Sequence, residues 1–141
     1  MERQAALLLH VIAVLKLPAG ATPGQVHAAL NKTDRFGRLP IHLLLRDGDP
    51  GLGLVRAMLA AGGDAMLGVA DNYKNLPLHC AAMKLKNADG PAVVELLLAR
   101  GPPGSAISEA SGGRTPLALA EQINRSPAAE GIKALLCAAM R

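Results

Sequence analysis

The sequence is nearly devoid of aromatic side chains: its 141 residues include one Phe, one Tyr and no Trp, although half the chain is hydrophobic. A core must therefore be assembled from Leu, Ala, Val, Ile and Met. That suits closely packed helices and argues against a β-sandwich, which draws on aromatic and β-branched residues. Cysteine is equally scarce, with only Cys80 and Cys137. They form no Cys-x-x-Cys pair and no ladder of half-cystines, so they read as small, reduced core residues of an intracellular chain and not as a secreted disulfide scaffold. Charge of one sign does not dominate either. Fifteen Lys and Arg stand against 11 Asp and Glu, a net charge of +4, and the position of so mild an excess matters more than its size.

Long hydrophobic runs are also missing. Ala5 to Leu15 is the most apolar stretch, shorter than the ~20 residues that span a bilayer, and no transmembrane helix is expected. Ala19-Gly20-Ala21 resembles a signal-peptidase site, which keeps secretion as the weaker alternative. Against it, the charges of Glu2 and Arg3 cancel, His10 interrupts the run and Lys16 stands where a cleavage region is neutral. The length fits one domain.

What the chain does have is self-similarity. Asp34-Arg-Phe-Gly-Arg-Leu-Pro-Ile-His42 and Asp71-Asn-Tyr-Lys-Asn-Leu-Pro-Leu-His79 correspond position by position at an offset of 37 residues. A third copy, Ala110-Ser-Gly-Gly-Arg-Thr-Pro-Leu-Ala118, lies 39 residues further on and loses both the leading Asp and the closing His. Apolar segments beginning at Val55, Val94 and Ile132 follow Pro40, Pro77 and Pro116 by 15, 17 and 16 residues. Each unit then reads as turn, helix, loop, helix. Proline suits the first helical position because the N–H it lacks would have no intrahelical partner there, and its fixed φ is already helical.

Breakers separate the two helices of each unit: Asp47-Gly-Asp-Pro-Gly51, Asn87-Ala-Asp-Gly-Pro91 and Ser126-Pro127. Gly62-Gly63 and Gly101-Pro102-Pro103 close the second helices, as expected where an αL residue ends a helix. Two short antiparallel helices cannot bury their apolar faces alone, so the pattern predicts an all-α solenoid of stacked pairs.

Leu76-Pro77-Leu78-His79-Cys80-Ala81-Ala82 resembles the Thr-Pro-Leu-His-x-Ala-Ala signature of the ankyrin repeat. Thr115-Pro116-Leu117 is similar, Leu39-Pro40-Ile41-His42 is a looser version, and Asp34 and Gly37 resemble the family's β-turn. The likeness covers about residues 34 to 136. It implies units at 34–70, 71–109 and 110–141, with 1–33 as a degenerate N-terminal cap built from an apolar helix at Glu2 to Lys16 and a shorter one from Pro23 to Asn31. It also implies that His42 and His79 hydrogen-bond between neighbouring units.

Three departures carry expectations of their own. Leu39 and Leu76 replace Thr, leaving Pro alone to define those helix starts. Lys74 stands where Gly37 and Gly113 stand, at a position that wants positive φ, so that turn is expected to be strained or differently shaped. The C-terminal helix from Ile132 is apolar for an outer cap, as if the stack continued, paired with another chain or ended weakly.

No catalytic constellation emerges. His79 and Cys80 are adjacent, and neighbouring helix residues diverge by roughly 100°. His10 and His27 have no evident partners, and no His, Cys, Asp and Glu cluster has zinc-site spacing. Gly48-x-x-Gly51-x-Gly53 lacks the Lys-Ser/Thr of a phosphate loop. Neither an enzyme nor a cofactor is expected.

Phe36 and Tyr73 occupy equivalent turn positions, surrounded by Arg35, Arg38, Asn72, Lys74 and Asn75, with Arg114 equivalent to Arg38. In ankyrin-like proteins such finger turns line one edge of the concave helical face. Aromatic and Arg residues dominate many interfaces, so the expected role is binding a protein with an acidic or mixed acidic-apolar surface. The competing view is that each ring packs on its neighbouring turn and the charges are merely solvated. A basic nucleic-acid binder and a regulatory subunit attached to an enzyme are alternatives, but Asp34, Asp71 and Glu109 interrupt any basic stripe.

Overall fold

The structure, a computed structural model, describes residues 18, 20–48, 50–102, 104, 109–110 and 113–139. The expected helix at Glu2 to Lys16 lies outside them. The described residues form no strand, and their regular structure is helical: α1 (Pro23–Leu30), α2 (Pro40–Leu43), α3 (Leu52–Gly62), α4 (Pro77–Lys84), α5 (Gly90–Arg100), α6 (Pro116–Ile123) and α7 (Ala128–Ala139). The fold is all-α, as the aliphatic composition predicts.

Prolines open α1, α2, α4 and α6, each preceded by a residue in extended conformation. Thr22 and Gln25 complete a reciprocal capping box at α1, and Thr115 Oγ1 accepts the Ala118 N–H at α6. Proline is not alone at the two starts that lack Thr. His42 Nδ1 accepts the Leu39 N–H at 3.0 Å, and His79 Nδ1 accepts the Leu76 N–H at 3.0 Å. The imidazole three residues into the helix thus supplies the half of the capping box that Glu or Gln usually supplies.

One expectation about helix ends needs correction, and one helix is shorter than its counterparts. After Leu43 the chain widens into a π-helical turn, Leu44–Gly48, so the α-helical part of this segment is only one turn long. The run Asp47-Gly-Asp-Pro-Gly51 offers nothing that favours another α turn. The second helices do not end on αL residues: Gly63 has φ 91° and ψ 156°, and Gly101 has φ −75° and ψ 170°. Gly63 leads into a 3-10 turn, Asp64–Gly68, which returns Met66 and Leu67 to the core.

Helices contact one another in two series. α2 with its π turn packs on α4 and α4 on α6, while α1 packs on α3, α3 on α5 and α5 on α7. Between the series lies one aliphatic cluster including Leu30, Ile41, Leu45, Met58, Leu85, Leu97, Ile132 and Leu136. Each such side chain contributes roughly 1.5–3 kcal/mol when fully buried. α7 approaches α5 closely: a Cβ built on Gly131 would lie 2.7 Å from Pro91 Cγ. Neither aromatic joins this cluster, as the composition implies.

Polar side chains tie the ends of neighbouring helices. Asp89 Oδ2 accepts the Leu52 N–H at 3.0 Å, and Asn87 Nδ2 donates to the Pro50 carbonyl. The start of α3, where Gly51 has no side chain to offer, is therefore capped from the next loop. Asn124 donates to the Ala82 and Leu85 carbonyls at the end of α4. Asn31 reaches Gly62, and His27 Nδ1 lies 3.1 Å from the Ala61 carbonyl, a partner that the sequence did not suggest.

Cys80 is buried, and burial pushes its thiol up to about 12. Cys137, expected in the core, is exposed, turned away from the buried Ile132 and Leu136 of α7. The two thiols should therefore react in sequence. Maleimide labelling read by mass spectrometry is expected to give one adduct on the native chain and a second only after denaturation. Two native adducts would show that Cys80 is not packed as described.

Candidate functional site

The two well-matched turns are built by the same bonds. Asp34 Oδ1 accepts the N–H groups of Phe36 and Arg38, both at 2.9 Å. Asp71 Oδ1 accepts those of Tyr73 and Asn75 at 2.8 and 2.9 Å. In each, the backbone closes in both directions: Asp34 N–H to Arg38 O and Gly37 N–H to Asp34 O, then Asp71 N–H to Asn75 O and Lys74 N–H to Asp71 O. An Asp side chain folding the following backbone onto itself is the Asx-turn mechanism. The third turn keeps the backbone bonds, Ala110 N–H to Arg114 O and Gly113 N–H to Ala110 O, without a carboxylate to brace them.

Lys74 adopts φ 65°, beside 75° at Gly37 and 74° at Gly113. The turn keeps its shape, and the strain falls on the lysine, whose Cβ crowds the carbonyl in this region. Asp34 sits in the field of its own turn: the Arg38 N–H, then the Phe36 N–H and the Arg38 guanidinium, hold its carboxyl below the ordinary value despite some opposing desolvation.

The turns are also joined to each other. Asn72 N–H donates to the Phe36 carbonyl at 2.9 Å, and Asn72 Nδ2 lies 3.3 Å from the Arg35 carbonyl. A Cβ on Gly37 would stand 2.6 Å from Asn72 Oδ1, so glycine there serves both its φ and this close approach. His42 completes the link. With Nδ1 accepting from Leu39, its Nε2–H donates to the Asn75 carbonyl at 3.0 Å, which sets the neutral Nε2–H tautomer. The ring has no exposed surface. Burial holds its pKa below 6.5, against the opposing pull of the Asn75 and Val69 carbonyls and the Asp71 and Asp34 carboxylates.

The structure separates residues that the sequence treats as equivalent. Phe36 is half-buried beneath two guanidinium groups, Arg35 Cζ at 5.0 Å and Arg38 Cζ at 4.7 Å from the ring centroid. Arg38 is further tied to Asp34 Oδ2 through Nε at 3.2 Å. Tyr73 is 56% exposed, and with Ile123 it is one of two large hydrophobics so placed among the described residues. Asn75 is half-buried, whereas Arg35, Asn72, Lys74 and Arg114 are exposed. Asn72 is committed to holding the two turns together, a role its position in the sequence did not reveal. Among the described residues no group of three or more His, Cys, Asp or Glu could hold a metal ion.

Two consequences are measurable. Replacing Lys74 by Gly removes left-handed strain of about 1–2 kcal/mol but adds unfolded-chain entropy. The net is expected to be a gain of about 0.5–1 kcal/mol, read as a higher urea midpoint. For His42 the folded pKa is depressed, so the unfolded chain takes up a proton that the folded chain resists. Stability is then full above about pH 6.5 and falls as pH drops below it toward the folded value. Unfolding midpoints between pH 7.5 and 5 should decline in the wild type and decline less in His42→Gln, where the side-chain oxygen can still accept from Leu39. Equal slopes would exclude this role.

In comparison with known proteins, the chain matches no protein-family model and no curated protein sequence.

Proposed function

We propose that this chain is an ankyrin-type repeat domain that binds a protein partner through its finger turns and the adjoining helical face, without catalysis of its own. The observation that carries the reading is the pair of turns at Asp34–Arg38 and Asp71–Asn75. They share one hydrogen-bond scheme at an offset of 37 residues and are fastened to each other by Asn72. Such bracing holds side chains in place before a partner arrives, which lowers the entropy lost on binding.

The chemistry of the surface favours an acidic or mixed acidic-apolar partner. Arg35, Lys74 and Arg114 are exposed, whereas Asp34 and Asp71 direct carboxylate oxygens into their own turns. Tyr73 adds an amphipathic ring of the type enriched at interfaces. Two unpaired thiols fit a reducing, intracellular setting. Among the described residues no helix is long and apolar enough to cross a membrane.

The test compares affinity capture by the wild type and by Tyr73→Ala and Arg35→Ala, with unfolding midpoints measured in parallel. Partners retained by the wild type are expected to be lost from both variants while the midpoints stay within about 0.5 kcal/mol, as for other exposed sites. Identical capture by all three would remove the finger turns from the interface. A gel shift with random oligonucleotides that weakens with salt would favour the nucleic-acid reading instead.

A further inference from the structure

The two aromatic turn positions differ in what surrounds them, and the difference assigns them separate tasks. In the first turn, the planes available to a ligand are not those of Phe36, which lies under Arg35 and Arg38. They are the guanidinium groups themselves. Arg38 has its Nε engaged by Asp34 Oδ2 and only 18% of its side chain exposed, which directs the remaining donors of a rigid fork. Arg35 makes no ion pair among the described residues and is exposed. Stacking on an aromatic ring restrains both groups without neutralising either, because the ring face interacts with the cation while the in-plane N–H donors stay available.

The second turn carries the complement. Asn72 and Asn75 replace the two arginines, and among the described residues no cation lies over the ring of Tyr73, which has more than half its surface exposed. The turns are adjacent through the 2.9 Å bond from Asn72 N–H to the Phe36 carbonyl. Helices packed side by side stand about 8–10 Å apart, a distance that an extended chain covers in about three residues.

We propose that Arg35 and Arg38, held on the Phe36 ring, form a two-guanidinium clamp for one carboxylate side chain of an extended peptide, whose apolar side chain about three residues away rests on Tyr73. This rests on the docking reading above and specifies the partner: a linear segment pairing Asp or Glu with a large apolar residue. A guanidinium matches a carboxylate through two parallel N–H donors, which a point-like ammonium cannot do. Restraint by the ring and by Asp34 reduces the side-chain freedom lost when the acid binds. Asp34 takes only one arm of the clamp: its Oδ1 is directed to two backbone N–H groups and its Oδ2 meets Arg38 through Nε alone.

The test is selection of random displayed dodecapeptides on the full chain, followed by anisotropy titration of the synthesised binders. Enrichment of Asp or Glu about three positions from Leu, Ile, Met, Phe or Tyr is expected. Arg35→Ala should weaken those binders about tenfold, the scale of one lost charge-assisted arm, and should have little effect on the same peptides carrying Gln or Asn in place of the acid. Arg38→Lys should also weaken them although charge is kept, while Tyr73→Ala should weaken acidic and amide peptides alike. Unfolding midpoints and circular dichroism confirm that each variant is folded. Binders without acidic residues, or acidic binders indifferent to Arg35→Ala, overturn the clamp and leave the docking reading standing. No binders from the selection overturn both.

Discussion

A single buried imidazole holds the geometry of the turns in place. His42 accepts the Leu39 N–H and so starts α2, and it donates to the Asn75 carbonyl and so positions the second turn against the first. A ring that must accept at one nitrogen and donate at the other has only one neutral tautomer that fits. Protonation would leave two donors facing one N–H and one carbonyl. The shielding that keeps the ring neutral therefore also keeps the two turns in register, and every exposed side chain on them inherits its position from that bond pair.

Aliphatic packing could not impose this register by itself. The core is built from Leu, Ile, Val, Met and Ala, whose burial is strong but nondirectional. Direction comes from a few polar groups that reach from one helical unit to the next. Asn72 joins the turns, Asp89 caps α3, and Asn124 satisfies two carbonyls at the end of α4. Each answers a backbone group that a helix or turn end leaves without a partner. Among the described residues no buried side-chain nitrogen or oxygen lacks a hydrogen-bond partner, as stable packing of such groups requires.

The same economy of polar contacts shapes the candidate surface. Asp34 and Asp71 each turn a carboxylate oxygen onto backbone N–H groups, while Arg35, Lys74 and Arg114 are exposed beside them. Arg38 is half structural, bonded to Asp34 and stacked on Phe36, whereas Arg35 and Lys74 face solvent. Lys74 holds a strained left-handed backbone where its two counterparts are glycine. A side chain kept at that position in spite of the strain marks the second turn as chemically distinct from the first.

Much of the local structure was legible from residue order. Aliphatic composition pointed to an all-α fold, the spacing of Pro40, Pro77 and Pro116 located three helix starts, and the match of Asp34–His42 with Asp71–His79 marked two corresponding turns, with Lys74 leaving the second either strained or differently shaped. These follow from φ preferences and short-range hydrogen bonds, which act within a few residues. Tertiary structure alone decided that Phe36 is covered and Tyr73 bare, that Cys137 lies outside the core, and that Asp89 caps a helix 37 residues upstream. The reason is physical: burial and long-range hydrogen bonds depend on which neighbour arrives, and two positions that match in a repeat need not have matching neighbours.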